Sequence, residues 1–228
     1  MAFNPYVPPE QLMKDRSEYA RKGIARGRSV VCMEYADGIL FIAENPSATL
    51  HKLSEIYDRI AFAGVGKYSE FEDLRIGGVR MADTRGYFYG REDVTAKTLA
   101  NAYSQALSGI FTQSMKPYEV EVLVAEVGER AEDNEIYHVL FDGSVNDEQG
   151  FVGIGGHTEE LNEHLSGVWS ADMDLGAAVR AAVEALAAVG EGAAPPPDQV
   201  EAAVLDRVRK PRRKFRRLTE AEVAELLG

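Results

Sequence analysis

The stretch TLHKLSEIYDRIAFAGVGK, Thr49 to Lys67, places a lysine, Lys52, just ahead of an apolar run. A lysine ordinarily keeps its ammonium in water, where the charge carries no desolvation cost. Lys52 is therefore either a snorkelling surface residue or a cation held for an incoming anion. Other chemistry-bearing residues are few. The single cysteine, Cys32, sits in the apolar run SVVCMEY, which suits a small buried hydrophobe better than a reactive thiol. One cysteine cannot form an intrachain disulfide, and that fits a reducing compartment. Of the four histidines, His51, His138, His157 and His164, the last two stand seven residues apart in HTEELNEH, two helical turns and too far to share a metal. The sequence contains no HExxH and no GxSxG. FAGVGK ends a strand and opens a helix in the manner of a phosphate loop. Ala61 and Tyr68 stand where that loop needs a glycine and a Ser or Thr, so the match fails. GFVGIGGHTEE lacks dinucleotide-binding spacing, and its glycines suit close helix–strand packing. No pair of acids is singled out for acid–base work.

The segment RVRKPRRKFRRL, Arg207 to Leu218, packs eight basic residues into twelve. It reads as a nucleic-acid patch or as a solvated or interface-facing strand pair. Pro211 and the folded flanks favour the second. The formal charge of −12 over 228 residues also argues against general nucleic-acid binding. No run of about 20 apolar residues is present for crossing a bilayer. The N-terminus lacks a basic segment followed by an apolar one, so a cytoplasmic protein is expected.

The elements that must position these groups follow from patterning. Residues 1–8 hold prolines and no periodicity and are expected as a mobile tail before a single domain over 9–228. A helix is predicted over Pro9–Ile24, with Pro9 in its first turn. Strands Ser29–Tyr35 and Ile39–Glu44 are predicted to join through a type I′ turn at Asp37-Gly38. Lys52 falls in a short extended piece, and an apolar strand reaches Gly64. Two helices follow, the second with Leu99, Tyr103, Leu107 and Ile110 on one stripe. YEVEVLVAEVG, EIYHVLFDG and FVGIG are predicted strands. Helices return at TEELNEHLSGVW and DLGAAVRAAVEALAAV, the latter capped by Asp174. Strands Val200–Arg207 and Phe215–Leu218 precede a last helix capped by Thr219. Strands and helices thus come in blocks. Two sheets with helix pairs on their outer faces would satisfy every apolar surface.

These blocks carry a resemblance. Glu18-Tyr19-Ala20-Arg21 at a helix end, the Asp37-Gly38 hairpin, Lys52, the strand Ile60–Ala63 and Gly66 opening a helix occur in the order seen in proteasome α-subunits. KPYEVEVLVAEV resembles that family's Arg/Lys-Pro-Tyr strand, and FDGSVNDEQGFVGIGG its paired strands and helix start. The basic C-terminal run and the proline-bearing start resemble the actinobacterial branch. The start lacks the Tyr-Asp-Arg element of archaeal and eukaryotic relatives, so their way of closing a gate does not transfer.

The resemblance implies an α+β fold: a four-layer αββα sandwich of the N-terminal nucleophile hydrolase type. In catalytic relatives the new N-terminal residue is the nucleophile, helped by its own amine and a lysine. Here the matching position falls near Arg28, with 27 residues before it, so a non-catalytic subunit is implied even though Lys52 aligns with the catalytic lysine. The alternative is a self-processed hydrolase with Ser29 or Cys32 as nucleophile. The family further implies a homo-heptameric outer ring stacked on a proteolytic β-subunit ring, with no cofactor. Phe3, Asn4, Pro5, Tyr6, Val7 and Pro8 would gate the pore. In a pocket between neighbouring subunits, Lys52 would pair with the C-terminal carboxylate of an AAA+ ATPase activator, Arg21 would support the same anion, Gly66 would let the peptide backbone approach, and Glu18 would be the fourth pocket residue. Unfolded, tagged proteins would pass through, and neither nucleic acid nor membrane is an expected partner.

Overall fold

A computed structural model describes residues 8–190 and 194–228. The gate candidates Phe3, Asn4, Pro5, Tyr6 and Val7 lie outside them. Pro8 is exposed and extended (φ −55°, ψ 142°), and its carbonyl accepts the Leu12 amide at 3.0 Å, so it begins the first helix.

That helix, α1 (Pro9–Ile24), has the predicted bounds. Two five-stranded antiparallel sheets follow, the first joining strands from both ends of the sequence and the second built from its middle. The first has the order β10 (Phe215–Arg217), β9 (Val200–Asp206), β2 (Gly38–Glu44), β1 (Val30–Tyr35), β8 (Phe151–Ile154). The second runs β3 (Leu53–Tyr57), β4 (Ile60–Gly66), β5 (Val120–Glu126), β6 (Glu135–Val139), β7 (Val145–Glu148). Cys32, Phe41, Ala63, Leu123, Ala125 and Leu205 belong to the core between the sheets. Helices α4 (Thr158–Val168) and α5 (Leu175–Val189) cover the outer face of the first sheet through Leu161, Leu165, Val179 and Leu186. Helices α2 (Tyr68–Phe88) and α3 (Ala96–Gln113) cover the second through Phe71, Leu74, Leu99, Tyr103 and Leu107. The four layers αββα are those expected. The stripe on α3 is buried except at Ile110, which is half-buried. A C-terminal helix, α6 (Glu220–Leu227), packs behind α5.

Local chemistry sets the element ends. Asp174 accepts the Ala177 amide, and Thr219 and Glu222 cap each other reciprocally, as those residue types predict. The β1–β2 turn departs from expectation. Its loop residues are Ala36 and Asp37, no non-glycine residue described has positive φ, and Gly38 is the first residue of β2. The type I′ assignment at Asp37-Gly38 is therefore wrong in position, by one residue, and in type, because neither loop residue has positive φ. Gly38 is required for space instead: a Cβ there would sit 2.0 Å from the Leu205 carbonyl oxygen on β9. The turn is held from outside, the Ala36 amide donating to Met173 O at 2.9 Å and the Asp37 carbonyl accepting the Arg207 amide at 2.8 Å. Strand limits also move by one or two residues. β1 starts at Val30 rather than Ser29, β4 continues to Gly66, and β9 and β10 stop at Asp206 and Arg217.

Helix α1 lies across one end of the sandwich. Ala20 and Ile24 enter the core between the sheets. Arg16 donates to the Phe111 carbonyl at 2.7 Å and to that of Ser114 at 2.6 Å, serving the unpaired acceptors at the C-terminus of α3. The chain then passes through Ala25–Ser29 into β1, and the candidate site is built around this connector.

Candidate functional site

Lys52 stands immediately before β3, and its Nζ donates to the carbonyl of Arg28 in the connector at 2.5 Å. Arg28 is itself ion-paired with Glu44 at the end of β2. Among the described residues no carboxylate lies within ion-pair distance of the Lys52 ammonium. Burial brings its pKa down to about 8, with the charge of Glu201 opposing that shift and Arg28 adding to it. The residue is half-buried, and its ammonium is bonded to a neutral carbonyl rather than a carboxylate, which leaves it open to an incoming anion.

What holds Lys52 there is a residue that local patterning does not reveal. Glu201, only 8% exposed on β9, accepts the Lys52 amide at 2.9 Å, the Leu53 amide at 3.2 Å and Asn45 Nδ2 at 2.7 Å. It is also paired with Arg217. A carboxylate in the apolar strand VEAAVLD was the available signal. Lys52, Leu53 and Asn45 lie 148–156 residues away in sequence, so no local pattern points to them.

Gly66 reaches the same connector from the second sheet: a Cβ added to Gly27 would sit 2.9 Å from the Gly66 amide nitrogen. Its φ is +105°, and its own Cβ would lie 1.9 Å from the Glu119 carbonyl oxygen. The glycine is thus already required by the chain's own β5. Arg21 takes another direction. Its guanidinium lies 5.9 Å from the centroid of the Phe141 ring, and it lines a cavity of about 620 Å³ with Glu121, His138, Glu148 and His157. Lys52 and Gly66 are absent from that lining. Lys52 stands at the β3 side of the second sheet and Arg21 at its β6–β7 side. Glu18 is exposed on α1. Within one chain, then, two of the four candidates approach the same connector, Arg21 lines a different cavity and Glu18 is exposed.

The alternative nucleophiles are placed as follows. Cys32 is fully buried between the sheets, and burial, with the nearby charge of Glu34, pushes its thiol pKa well up. Ser29 packs against Gly155, where an added Cβ would lie 2.8 Å from its Oγ. Freeing either residue as an N-terminus removes α1 together with the Arg16 contacts to α3. Lys52 Nζ, near this position, holds a peptide carbonyl rather than a hydroxyl.

The basic run is largely consumed within the fold. Arg213 pairs with Glu55, Arg216 with Glu222 and Arg217 with Glu201. Arg207 donates to the Ala36 carbonyl at 2.8 Å, and Lys214 to that of Arg207 at 3.0 Å. Among the described residues no three His, Cys, Asp or Glu side chains are grouped to hold a metal ion, and no helix is long and apolar enough to cross a membrane.

Comparison with known proteins agrees with this architecture. Residues 24–205 match the family model described as proteasome subunit. A Kineococcus radiotolerans protein named proteasome subunit alpha is 58% identical over 230 residues, covering 98% of this chain and 97% of its own. Proteins of that name from Frankia alni and Acidothermus cellulolyticus are 56% identical over 230 residues and 54% over 226. They cover 98% and 97% of this chain, and 95% and 96% of their own lengths. The four layers, the inter-sheet core and full-length identity above one half lead to one conclusion: the chain belongs to the proteasome-subunit family and, within it, to the α-subunits of the 20S core.

Proposed function

We propose that this subunit is a non-catalytic gate and docking platform. Seven copies form each outer ring of the core particle, stacked on rings of β-subunits that hold the endopeptidase activity. Residues 1–8 narrow the axial pore, so that folded cytoplasmic proteins stay out. An AAA+ ATPase inserts its C-terminal tails beside Lys52, widens the gate and feeds in unfolded, tagged substrates. Specificity then comes from admission, and the protease beyond need not read sequence.

The observation that carries this reading is the half-buried Lys52: its backbone amide is held by the Glu201 carboxylate, and its ammonium is bonded to a neutral carbonyl. A flexible ammonium is a point charge suited to a terminal carboxylate. Gly66 lies next to the same connector. The test is Lys52→Ala in the assembled α–β particle. Degradation stimulated by the ATPase is lost, while cleavage of a short peptide stays near the wild-type rate. Equal stimulation of wild type and variant removes Lys52 from the docking site. Deleting residues 2–8 raises peptide cleavage without the ATPase, and an unchanged rate means that the tail is not the barrier.

A further inference from the structure

Of the chain's lysines, Lys14, Lys22, Lys67, Lys97 and Lys210 are exposed, while Lys52, Lys116 and Lys214 are half-buried. The half-buried three are held in different ways. Lys116 is clamped by the carboxylates of Glu70 and Glu119, each at 2.7 Å, so its charge is matched. Lys214 donates to two backbone carbonyls, those of Arg207 and Arg209. Lys52 donates to one, that of Arg28, and no carboxylate lies within ion-pair distance of it among the described residues.

The charged groups around Lys52 come from three elements and its own neighbour in the chain. Arg28 stands in the connector, Glu44 on β2 pairs with Arg28, Glu201 on β9 pairs with Arg217, and His51 lies 3.3 Å from Glu201. Burial is the main cause that brings the Lys52 pKa to about 8, with Glu201 opposing and Arg28 reinforcing it. At pH 7.5 about one quarter of Lys52 is then free amine, against about one in a thousand for a lysine in water. The amine has a lone pair to give to an electrophile, and the ammonium has none.

Arg28 supplies what such an electrophile needs. Its side chain is exposed, Nη1 is taken by Glu44, and Nε and Nη2 make no hydrogen bond among the described residues. A guanidinium presents its donors as a fork that fits phosphate oxygens. The carbonyl of this same residue holds Lys52 Nζ, so the phosphate-binding group and the amine sit at one residue.

We propose that Lys52 is an acylation site for small acyl phosphates, with Arg28 holding the phosphate. The Nζ lone pair attacks the acyl carbon and forms a C–N bond. The bond from that carbon to the phosphate oxygen breaks, inorganic phosphate leaves with the electron pair, and the surplus proton on nitrogen passes to water. The product is a neutral amide. Its nitrogen keeps one N–H, which still donates to the Arg28 carbonyl, so the connector stays held while the charge is removed. The consequence rests on the docking role proposed above: a terminal carboxylate finds no cation at an acylated site, and the particle stops responding to its ATPase.

The test treats the assembled α–β particle with acetyl phosphate at pH 7.5 and follows each lysine of the α chain by peptide mass spectrometry. Lys52 is acetylated about tenfold or more faster than any of the five exposed lysines, its weaker basicity giving back part of the larger ratio in free amine. Its rate levels off above pH 8, while theirs still rises toward pH 10. Arg28→Gln lowers the ratio of labelling by acetyl phosphate to labelling by the neutral ester N-acetoxysuccinimide about fivefold or more, and that ratio cancels any change in the amine itself. Lys52 labelled no faster than the exposed lysines overturns the acylation site. A ratio unchanged by Arg28→Gln overturns the assignment to acyl phosphates. Particles acetylated at Lys52 lose stimulation by the ATPase and keep their cleavage of short peptides. Acetylated particles that remain fully stimulated overturn the docking role instead, and leave the acylation site standing on its labelling rates.

Discussion

Glu201→Gln tests whether one buried carboxylate positions Lys52, the lysine proposed to dock an activator tail. Oε1 of Glu201 faces the Leu53 amide and Arg217; Oε2 faces the Lys52 amide and Asn45 Nδ2. Each oxygen therefore has at least two donors. A glutamine fits the volume, but in either orientation its NH₂ group confronts two of them. A buried donor left without an acceptor costs about 1–3 kcal/mol. Arg217 is partly exposed and can turn toward water, which lowers the total, and Asn45 keeps its bond to the Leu50 carbonyl. About 3 kcal/mol is the expected loss, or a melting point lower by about 6–12 °C for a domain of this size. Thermal unfolding of the α chain followed at its single tryptophan, Trp169, measures it. The same substitution removes a charge that supports the Lys52 cation, so the lysine titrates below about 8 and tail docking fails at lower pH. A melting point within about 2 °C of wild type, with an unchanged docking pH profile, refutes the anchoring role.

The wild-type pH dependence has two opposite signs. Lys52 loses its proton near pH 8 in the folded chain, against the ordinary lysine value of about 10.4 when unfolded. Between these values the folded chain binds fewer protons, so this group's contribution to stability rises with pH. Docking of a carboxylate weakens over the same interval; activation by the ATPase therefore falls above pH 8 while basal peptide cleavage does not follow it. Thr219→Ala removes one half of the capping box on α6 and costs about 1 kcal/mol. Amide exchange over Glu220–Leu227 should then quicken about fivefold, with that over α5 unchanged.

The sequence displays some of these features openly and conceals others for physical reasons. Helix α1 is legible to the residue because Pro9 marks a first turn and the apolar face ends at Ile24. Asp174 and Thr219 are legible because capping is decided within three residues. The turn after Tyr35 is not: Asp37-Gly38 signals a hairpin locally, yet the register is set by Leu205, Met173 and Arg207 from distant segments. β7 carries no apolar alternation, being exposed over Val145–Asp147, so only its pairing with β6 reveals it. Of the candidate site, Lys52 stands out by its charge beside an apolar strand, and Gly66 by its place at the strand end. The sheet edge that Arg21 joins, and the carboxylate of Glu201 behind Lys52, depend on the order of strands in space, which no short stretch encodes.

In the docking role proposed for Lys52, its hydrogen bond to the Arg28 carbonyl would set the strength of a single docking event. An arriving carboxylate does not satisfy an idle donor; it displaces a neutral acceptor that is already in place. The gain is the difference between a charge-assisted bond and an ordinary one, on the order of 1–2 kcal/mol, from which the ordering of a flexible tail is still subtracted. One tail alone therefore holds weakly and leaves quickly. An activator that presents several tails to a ring of such sites turns each later contact into an intramolecular one, and avidity of about 10²–10⁴ then becomes available without a new contact type. Under the same proposal, weak individual sites would let tails release one by one, so a neutral carbonyl beside Lys52 would keep the association both collective and reversible.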